Sequence, residues 1–184
     1  MKWILVVLLV LPAVFVIAME TDSRGKPETV DELDIDRYLG KWYAIASIVK
    51  FFNKDCAWGN QAEYSLREDG RINVVNTCYT GDGKEKRVKG IAWVPDSSDP
   101  GKLKVSFVQF LGITFFAGDY WVIELGEDYD YAVIGDPKRS FGWILSRTPE
   151  MNQEQLDGIA RRLESIGYDF SDFRLNPQSA PNNT

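Results

Sequence analysis

The chain has 184 residues, of which 45% are hydrophobic, and this length fits one domain with a sizeable core. Its formal net charge of −6 and pI near 4.8 argue against a nucleic-acid partner and against attachment to an anionic membrane by charge. Histidine is absent, which excludes histidine-dependent triads, histidine-ligated haem and the common histidine-based zinc sites. We therefore expect no metal ion and no cofactor.

The two ends of the chain differ in composition from its middle. Residues 1–18 predict a signal peptide, because an apolar run from Trp3 follows Lys2 and ends in a small-residue cleavage pattern at Ala18. The run is short for a membrane span, which needs about 20 residues, and an uncleaved anchor is the alternative. Residues 19–36 are polar and acidic and predict a flexible segment, and residues 177–184 predict a disordered tail. The domain is predicted over residues 37–176.

Short segments with alternating apolar residues predict eight β-strands. They lie near 40–49, 58–67, 71–79, 85–94, 102–109, 118–125, 130–135 and 141–147. Turn residues separate them, as in Glu68-Asp69-Gly70-Arg71. This spacing favours an antiparallel sandwich or barrel, and eight strands close into a barrel wide enough for one small ligand.

A helical pattern of apolar residues follows the last strand, over residues 153–166. Asn152 with Gln155 gives a capping signal at its start, and Gly167 gives a left-handed stop. One face is apolar and the other is charged. We therefore expect this helix to pack on the outside of a barrel.

Three motifs resemble those of the lipocalin family. They are Leu39-Gly40-Lys41-Trp42-Tyr43, Asp128-Tyr129 before a strand, and Arg147 in Ser146-Arg147-Thr148-Pro149. The similarity runs from about Leu33 to Asn176 and is closest to the bacterial and apolipoprotein D-like branch. It implies an all-β fold, an eight-stranded antiparallel up-and-down barrel with one C-terminal α-helix packed on its outside. The implied structural residues, with Arg147 stacked on Trp42 at the closed end, are Gly40, Trp42, Asp128, Tyr129 and Arg147.

The same topology places the loops near 50–57, 80–84, 110–117 and 136–140 around the open mouth. Cys56 and Cys78 then meet near this mouth, and paired cysteines of exported proteins usually oxidise, so we predict a disulfide. The alternative is a reactive cysteine inside the cavity, as in the lipocalin-type prostaglandin synthase.

Alternate residues of each strand would face the cavity. Phasing the strands from Trp42 and Arg147 gives the ligand-binding candidates Tyr64, Asn76, Val105, Phe107, Tyr120, Val122, Glu124, Phe141 and Trp143. Their bulk predicts a narrow cavity that suits an acyl chain better than a fused-ring ligand, with Gly90 and Ala92 leaving room on one wall. A solid core is the alternative. Glu124 would need a buried partner, and a wrong face assignment is its own alternative.

The predicted mouth is rich in apolar residues where loops are normally polar. They are Phe51, Phe52, Phe110, Leu111, Ile113, Phe115 and Phe116. We interpret them as a lid that also docks on membranes. In the alternatives these side chains fold inward to close the barrel or meet a second copy in a homodimer.

The sequence thus favours a non-enzymatic carrier of small hydrophobic ligands, such as fatty acids or lysophospholipids, in lipid transport and membrane maintenance. The alternatives are an isomerase or de-epoxidase on the same barrel and a protein-binding module that uses the mouth. Export implies a periplasmic, outer-membrane-associated or secreted protein. N-terminal lipidation, which many bacterial relatives carry, is not expected because Cys56 and Cys78 are the only cysteines.

Overall fold

A computed structural model describes residues 25–110 and 113–181, and the predicted signal peptide lies outside these residues. The strands are β1 (Gly40–Ile48), β2 (Trp58–Leu66), β3 (Ile72–Tyr79), β4 (Glu85–Trp93), β5 (Lys102–Ser106), β6 (Val108–Phe110), β7 (Ile113–Phe115), β8 (Gly118–Leu125), β9 (Tyr131–Gly135), β10 (Gly142–Ser146) and β11 (Phe173–Leu175). The helices are α1 (Ile35–Tyr38) and α2 (Gln153–Ser165), with a 3₁₀ turn at Phe170–Asp172. None of the helices in these ranges is long and apolar enough to span a membrane.

Eight antiparallel strands form a closed barrel, as predicted. Their order is β10-β9-β8-β5-β4-β3-β2-β1, and β1 pairs with β10 to close the circle. We call the end formed by α1 and the turns at 67–71, 94–101 and 126–130 the closed end. The opposite end, formed by residues 49–57, 80–84, 107–110, 113–117 and 136–141, is the mouth.

Besides a register shift in β2 between Trp58 and Gln61, two register shifts decide which side chains of β1 and β8 face the interior. One lies in β1 between Ala44 and Ala46, and the other lies in β8 between Val122 and Glu124. An extra residue in one strand reverses the alternation that follows it. As a result Ala44 and Val122 belong to the interior core, whereas Ala46 belongs to a second core outside the barrel.

The second core lies under helix α2, which packs outside the barrel as predicted. Leu156, Ile159 and Leu163 of the helix are buried with Val133 of β9 and Ile144 of β10. At the start of the helix the Asn152 side chain accepts a hydrogen bond from the Gln155 amide at 2.8 Å. The helix therefore covers apolar side chains that the two bulges turn outward.

The segment before the barrel was predicted to be flexible, and in its described part, from residue 25 onwards, it makes hydrogen bonds to the barrel. The Val30 amide donates to the Val122 carbonyl at 2.9 Å, and the Thr29 hydroxyl donates to Asp99 at 3.0 Å. The predicted tail is also bound where it begins, since the Pro177 carbonyl accepts from Gly59 and the Gln178 amide donates to Ala44.

A disulfide joins Cys56 and Cys78 near the mouth, which confirms the predicted pairing. It closes the connection from the loop after β1 to β3, with a sequence separation of 22. We expect Cys56→Ala to lower the free energy of unfolding by about 3 kcal/mol, since the cross-link restricts the unfolded chain. Thermal unfolding should shift down by about 6 to 12 °C. A variant as stable as the wild type, with intact mass confirming the bridge in the parent, would contradict this role.

Candidate functional site

The closed end is built around Trp42, whose side chain is fully buried. The Arg147 guanidinium stacks on the indole with its Cζ atom 3.7 Å from the ring centroid. The same guanidinium donates hydrogen bonds to the carbonyls of Arg37, Leu39, Lys41 and Tyr129. Arg147 therefore joins β10 to the start of β1, to α1 and to the turn before β9.

We call the stacked pair of Trp42 and Arg147 the cap of the closed end. Gly40 and Tyr129 also contribute to it. Gly40 has a φ of +91°, and a side chain there would meet the Arg147 guanidinium. The Tyr129 hydroxyl accepts from the Asp34 amide at 2.9 Å, and the Arg37 guanidinium lies 4.1 Å from the centroid of its ring. Asp128 is exposed in the turn before β9.

Three tyrosine hydroxyls meet inside the barrel above this cap. The Tyr120 hydroxyl lies 2.7 Å from that of Tyr38 and 2.9 Å from that of Tyr64. Burial raises the pKa of Tyr38 and Tyr120 well above the usual range and the pKa of Tyr64 to about 12. The hydroxyls therefore stay protonated at neutral pH. Tyr38 was not among the predicted site residues, because a four-residue helix gives no periodic signal.

The tyrosines line a small cavity together with apolar side chains. Its free volume is about 10 Å³, close to the space that one water molecule needs. The lining residues include the predicted candidates Tyr64, Val105 and Tyr120, and the complete set is Tyr38, Tyr64, Ile72, Val74, Ala92, Leu103, Val105 and Tyr120. The bottom of the barrel is thus filled by side chains, as the solid-core alternative expects.

Towards the mouth the barrel opens. Along the inward face of β4 and its partner β3, Val74 is 3% exposed, whereas Val88 is 48% exposed and Asn76 is also exposed. Val122, another predicted candidate, is fully buried deeper in the interior. The barrel is therefore a cup whose interior apolar side chains become accessible near the mouth.

Phe107 occupies the space that Gly90 was expected to leave free. A Cβ atom placed on Gly90 would lie 2.7 Å from the Phe107 ring, so the ring packs directly on this glycine. Phe107 is 41% exposed on its other side. The predicted gap in the wall is thus closed at Gly90, while Ala92 lines the cavity below.

An aromatic stack crosses the mouth. Phe141 and Trp143 are stacked with ring centroids 6.2 Å apart, and Phe52 stacks on both at 6.0 and 6.4 Å. The loop that carries Phe52 is held by buried Asn53, whose side chain accepts from the Lys50 amide and donates to the Ile48 carbonyl. Phe52 therefore covers part of the opening from a fixed loop.

A short hairpin forms another side of the mouth and corrects the predicted fifth strand, which was extended to residue 109. β5 ends at Ser106, and β6 pairs with β7 as a separate two-stranded sheet. The buried Ser106 hydroxyl donates to the Phe115 carbonyl and accepts from the Val108 amide, which ties the hairpin to the barrel. Phe110 lies on β6, and Leu111 lies outside the described residues.

Glu124 does not face the cavity, contrary to the prediction. The bulge at residue 123 turns its side chain outward, where it pairs with Arg162 of α2 and accepts a 2.6 Å hydrogen bond from the Tyr131 hydroxyl. The predicted alternative, a wrong face assignment, is correct. Glu124 therefore holds the outer helix and is removed from the ligand-binding candidates.

The described residues contain neither a free cysteine nor a cluster of side chains suited to a metal ion. Both cysteines are in the disulfide, so the reactive-cysteine alternative is wrong. Within residues 25–110 and 113–181, His, Cys, Asp and Glu side chains form no group of three that could hold a metal ion. What the site offers is an apolar interior, three protonated tyrosines and an aromatic rim.

Comparison with known proteins agrees with this architecture. Residues 33–178 match the family model of the lipocalin-like domain. The chain is 41% identical to temperature-induced lipocalin-1 of Arabidopsis thaliana, over 85% of this chain and 86% of that protein. It is 36% identical to the outer membrane lipoprotein Blc of Vibrio cholerae, over 79% of this chain and 84% of that protein. It is 33% identical to mouse (Mus musculus) apolipoprotein D, over 83% and 81% of the two chains.

Solved structures share the fold at lower identity. Lobster apocrustacyanin A1 superposes with a TM-score of 0.61 at 18% identity, covering 85% of this chain and 92% of that chain. Insecticyanin of the tobacco hornworm Manduca sexta gives a TM-score of 0.60 at 22% identity, over 84% and 85%. Taken with the stacked Trp42 and Arg147, these matches show that the chain belongs to the lipocalin family.

Proposed function

We propose that this lipocalin is a non-enzymatic carrier that binds one single-chain amphiphile, a fatty acid or lysophospholipid, for lipid transport and membrane maintenance. The observation that carries the proposal is the gradient of burial inside the barrel, from buried Val74 to half-exposed Val88 and Phe107. Apolar side chains accessible in a cup favour an apolar ligand, and each CH₂ group buried there contributes about 0.8 kcal/mol. The name of one relative, apolipoprotein D, also supports a lipid ligand.

The shape of the cup favours a thin chain over a bulky ring system. The tyrosines fill the closed end and leave about 10 Å³ of free volume. Above them, Phe107 narrows one wall and the Phe52 stack narrows the mouth. An acyl chain can pass between these rings with small rotations, whereas a fused-ring ligand would have to displace them.

Trp143 tests this proposal, because it belongs to the mouth stack and also packs against the interior core. We expect Trp143→Ala to weaken oleate and lysophosphatidylcholine binding by about tenfold, a loss of about 1.4 kcal/mol, since the pocket loses its contact with the chain. Fluorescence displacement titrations would measure both affinities.

The matched control is Trp93→Ala on β4. Its neighbour Ala92 faces inward, so the side chain of Trp93 faces the outside of the barrel. This variant should bind both lipids like the wild type. Equal affinities for Trp143→Ala and the wild type would place the ligand elsewhere, and no binding by the wild type would overturn the carrier function.

We further propose that the mouth docks on membranes, so that a lipid enters the barrel without crossing water. Phe51 is 82% exposed and Phe116 is 88% exposed, and Phe116 adopts a φ of +54° that points to a constrained turn. Both lie beside the opening, on different loops. Large side chains held in solvent at an opening favour contact with an apolar phase.

The double substitution Phe51→Ser and Phe116→Ser tests docking. Because both rings are largely in solvent, we expect little change in thermal stability but weaker flotation with liposomes and slower lipid uptake. A control change of Leu66, which is 52% exposed next to the closed-end turn at 67–71, should leave flotation intact. A double variant that floats normally but loses stability or changes oligomeric state would show that the rings are core or dimer contacts instead.

A further inference from the structure

The charges of the barrel are separated between its two ends, although the net charge of −6 suggests a uniformly acidic protein. The closed end, formed by α1 and the turns at 67–71, 94–101 and 126–130, carries eight acidic and three basic residues. The mouth, residues 49–57, 80–84, 107–110, 113–117 and 136–141, carries three acidic and five basic residues. The mouth is therefore positive and the closed end is strongly negative, which the net charge of the whole chain does not show.

The three carboxylates at the mouth already have partners. They therefore neutralise only part of the positive charge of the mouth. Asp55 pairs with Lys86 and Asp82 pairs with Lys84, while buried Asp136 accepts hydrogen bonds from the Phe141 amide and the Ser140 hydroxyl. None of the ion pairs formed among the described residues uses Lys50, Lys54 or Lys138. Within the part of the chain that the structure describes, these three mouth lysines therefore have no carboxylate partner.

The three lysines surround the exposed aromatic side chains. Lys50 and Lys54 flank Phe51 and Phe52 in the loop after β1, and the Lys50 ammonium lies 5.7 Å from the centroid of the Phe141 ring. Lys138 is exposed in the turn between β9 and β10. The exposed rings suit the acyl layer of a membrane, and the ammonium groups beside them suit the phosphates of the lipid headgroups.

We infer that the mouth docks selectively on membranes rich in anionic lipid, with Lys50, Lys54 and Lys138 contacting headgroup phosphates while Phe51 and Phe116 enter the acyl layer. This inference rests on the membrane docking proposed above and names its lipid class. The acidic closed end is repelled by the same surface, so the charge separation also orients the mouth towards the membrane. A lysine near an anionic surface strengthens binding by about fivefold, and three together by about a hundredfold.

The test is flotation with vesicles of phosphatidylcholine alone and of phosphatidylcholine mixed with phosphatidylglycerol. We expect the wild type to bind the anionic vesicles more tightly and to lose this preference when salt rises from about 0.1 to about 1 M, which shortens the screening length from about 10 to about 3 Å. A rim variant with Lys50, Lys54 and Lys138 changed to Gln should bind both vesicles at the neutral level. A control variant with Lys41, Lys89 and Lys104 changed to Gln, of the same net charge, should keep the preference.

Oleate titration of the same proteins separates this inference from the carrier function. Equal binding to both vesicles, insensitivity to salt, or the same loss in the rim and control variants would overturn anionic selectivity even if oleate binds normally. A rim variant that changes oligomeric state in light scattering would also overturn it. Selective vesicle binding without any oleate binding would support this inference and contradict the carrier.

Discussion

Replacing Arg147 by Ala should lower the free energy of unfolding by about 3 kcal/mol and the midpoint of thermal unfolding by about 6 to 12 °C. The substitution removes the cation stacked on Trp42 and leaves four backbone carbonyls without their donor. Because these carbonyls belong to α1, β1 and the turn before β9, the closed end should loosen as a unit. Chemical denaturation would measure the loss.

Two further variants define what Arg147 contributes. Arg147→Lys keeps the charge but loses the planar fork, so we expect stability between that of the wild type and Arg147→Ala. Arg67→Ala removes a surface arginine paired with exposed Asp69, and such surface pairs contribute little to stability. If Arg147→Ala is no less stable than Arg67→Ala, the cap does not hold the barrel closed.

The buried tyrosines should make the protein sensitive to alkali in a defined pH range. An unfolded tyrosine ionises near pH 10, whereas Tyr64 in the fold has a pKa of about 12 because of burial. Above about pH 10 the unfolded state loses a proton that the folded state keeps, so stability is complete below about pH 10 and falls as the pH rises towards 12. Tyr64 alone should remove about 2 kcal/mol by pH 12, and Tyr38 and Tyr120 add to this loss.

Denaturant titrations between about pH 8 and 12, with tyrosinate absorbance followed in parallel, would measure this effect. We expect the absorbance of the buried tyrosines to rise only together with unfolding. The variant with Tyr38, Tyr64 and Tyr120 changed to Phe should begin less stable at neutral pH, having lost its hydrogen bonds, but should lose less stability with rising pH. Complete ionisation of the folded wild type near pH 10 would show that the tyrosine cluster is solvated.

The barrel and its outer helix could be predicted because their signals are periodic and local. Leu103 and Val105 on β5, and Leu145 on β10, lie in or against the interior core as the alternation predicts. The positions of Glu124 and Ala46 could not be predicted, because each follows a bulge, and an inserted residue leaves the apolar pattern unchanged. Both faces of β8 are apolar. Trp121 is buried on the outer face of the barrel beneath Lys102, and Val122 is buried in the interior.

The floor and the mouth depend on contacts between distant residues. Tyr38 lies in a helix of four residues, and its hydroxyl is hydrogen-bonded to that of Tyr120, which is 82 residues away in sequence. Phe107 covers Gly90, and Ser106 ties down a hairpin, through packing that no short motif encodes. The separation of charge between the two ends is likewise a property of topology, because it depends on which turns share an end.

Native mass spectrometry with defined lipids tests the carrier most directly. The delipidated protein would be incubated with oleate, lysophosphatidylcholine and a sterol at equal concentrations. The cup above the tyrosine cluster predicts one single-chain lipid per protein, with little sterol bound, and a change in tryptophan emission that Trp143→Ala abolishes. A protein that takes up none of these lipids, with unchanged emission at saturating concentrations, would contradict the carrier function.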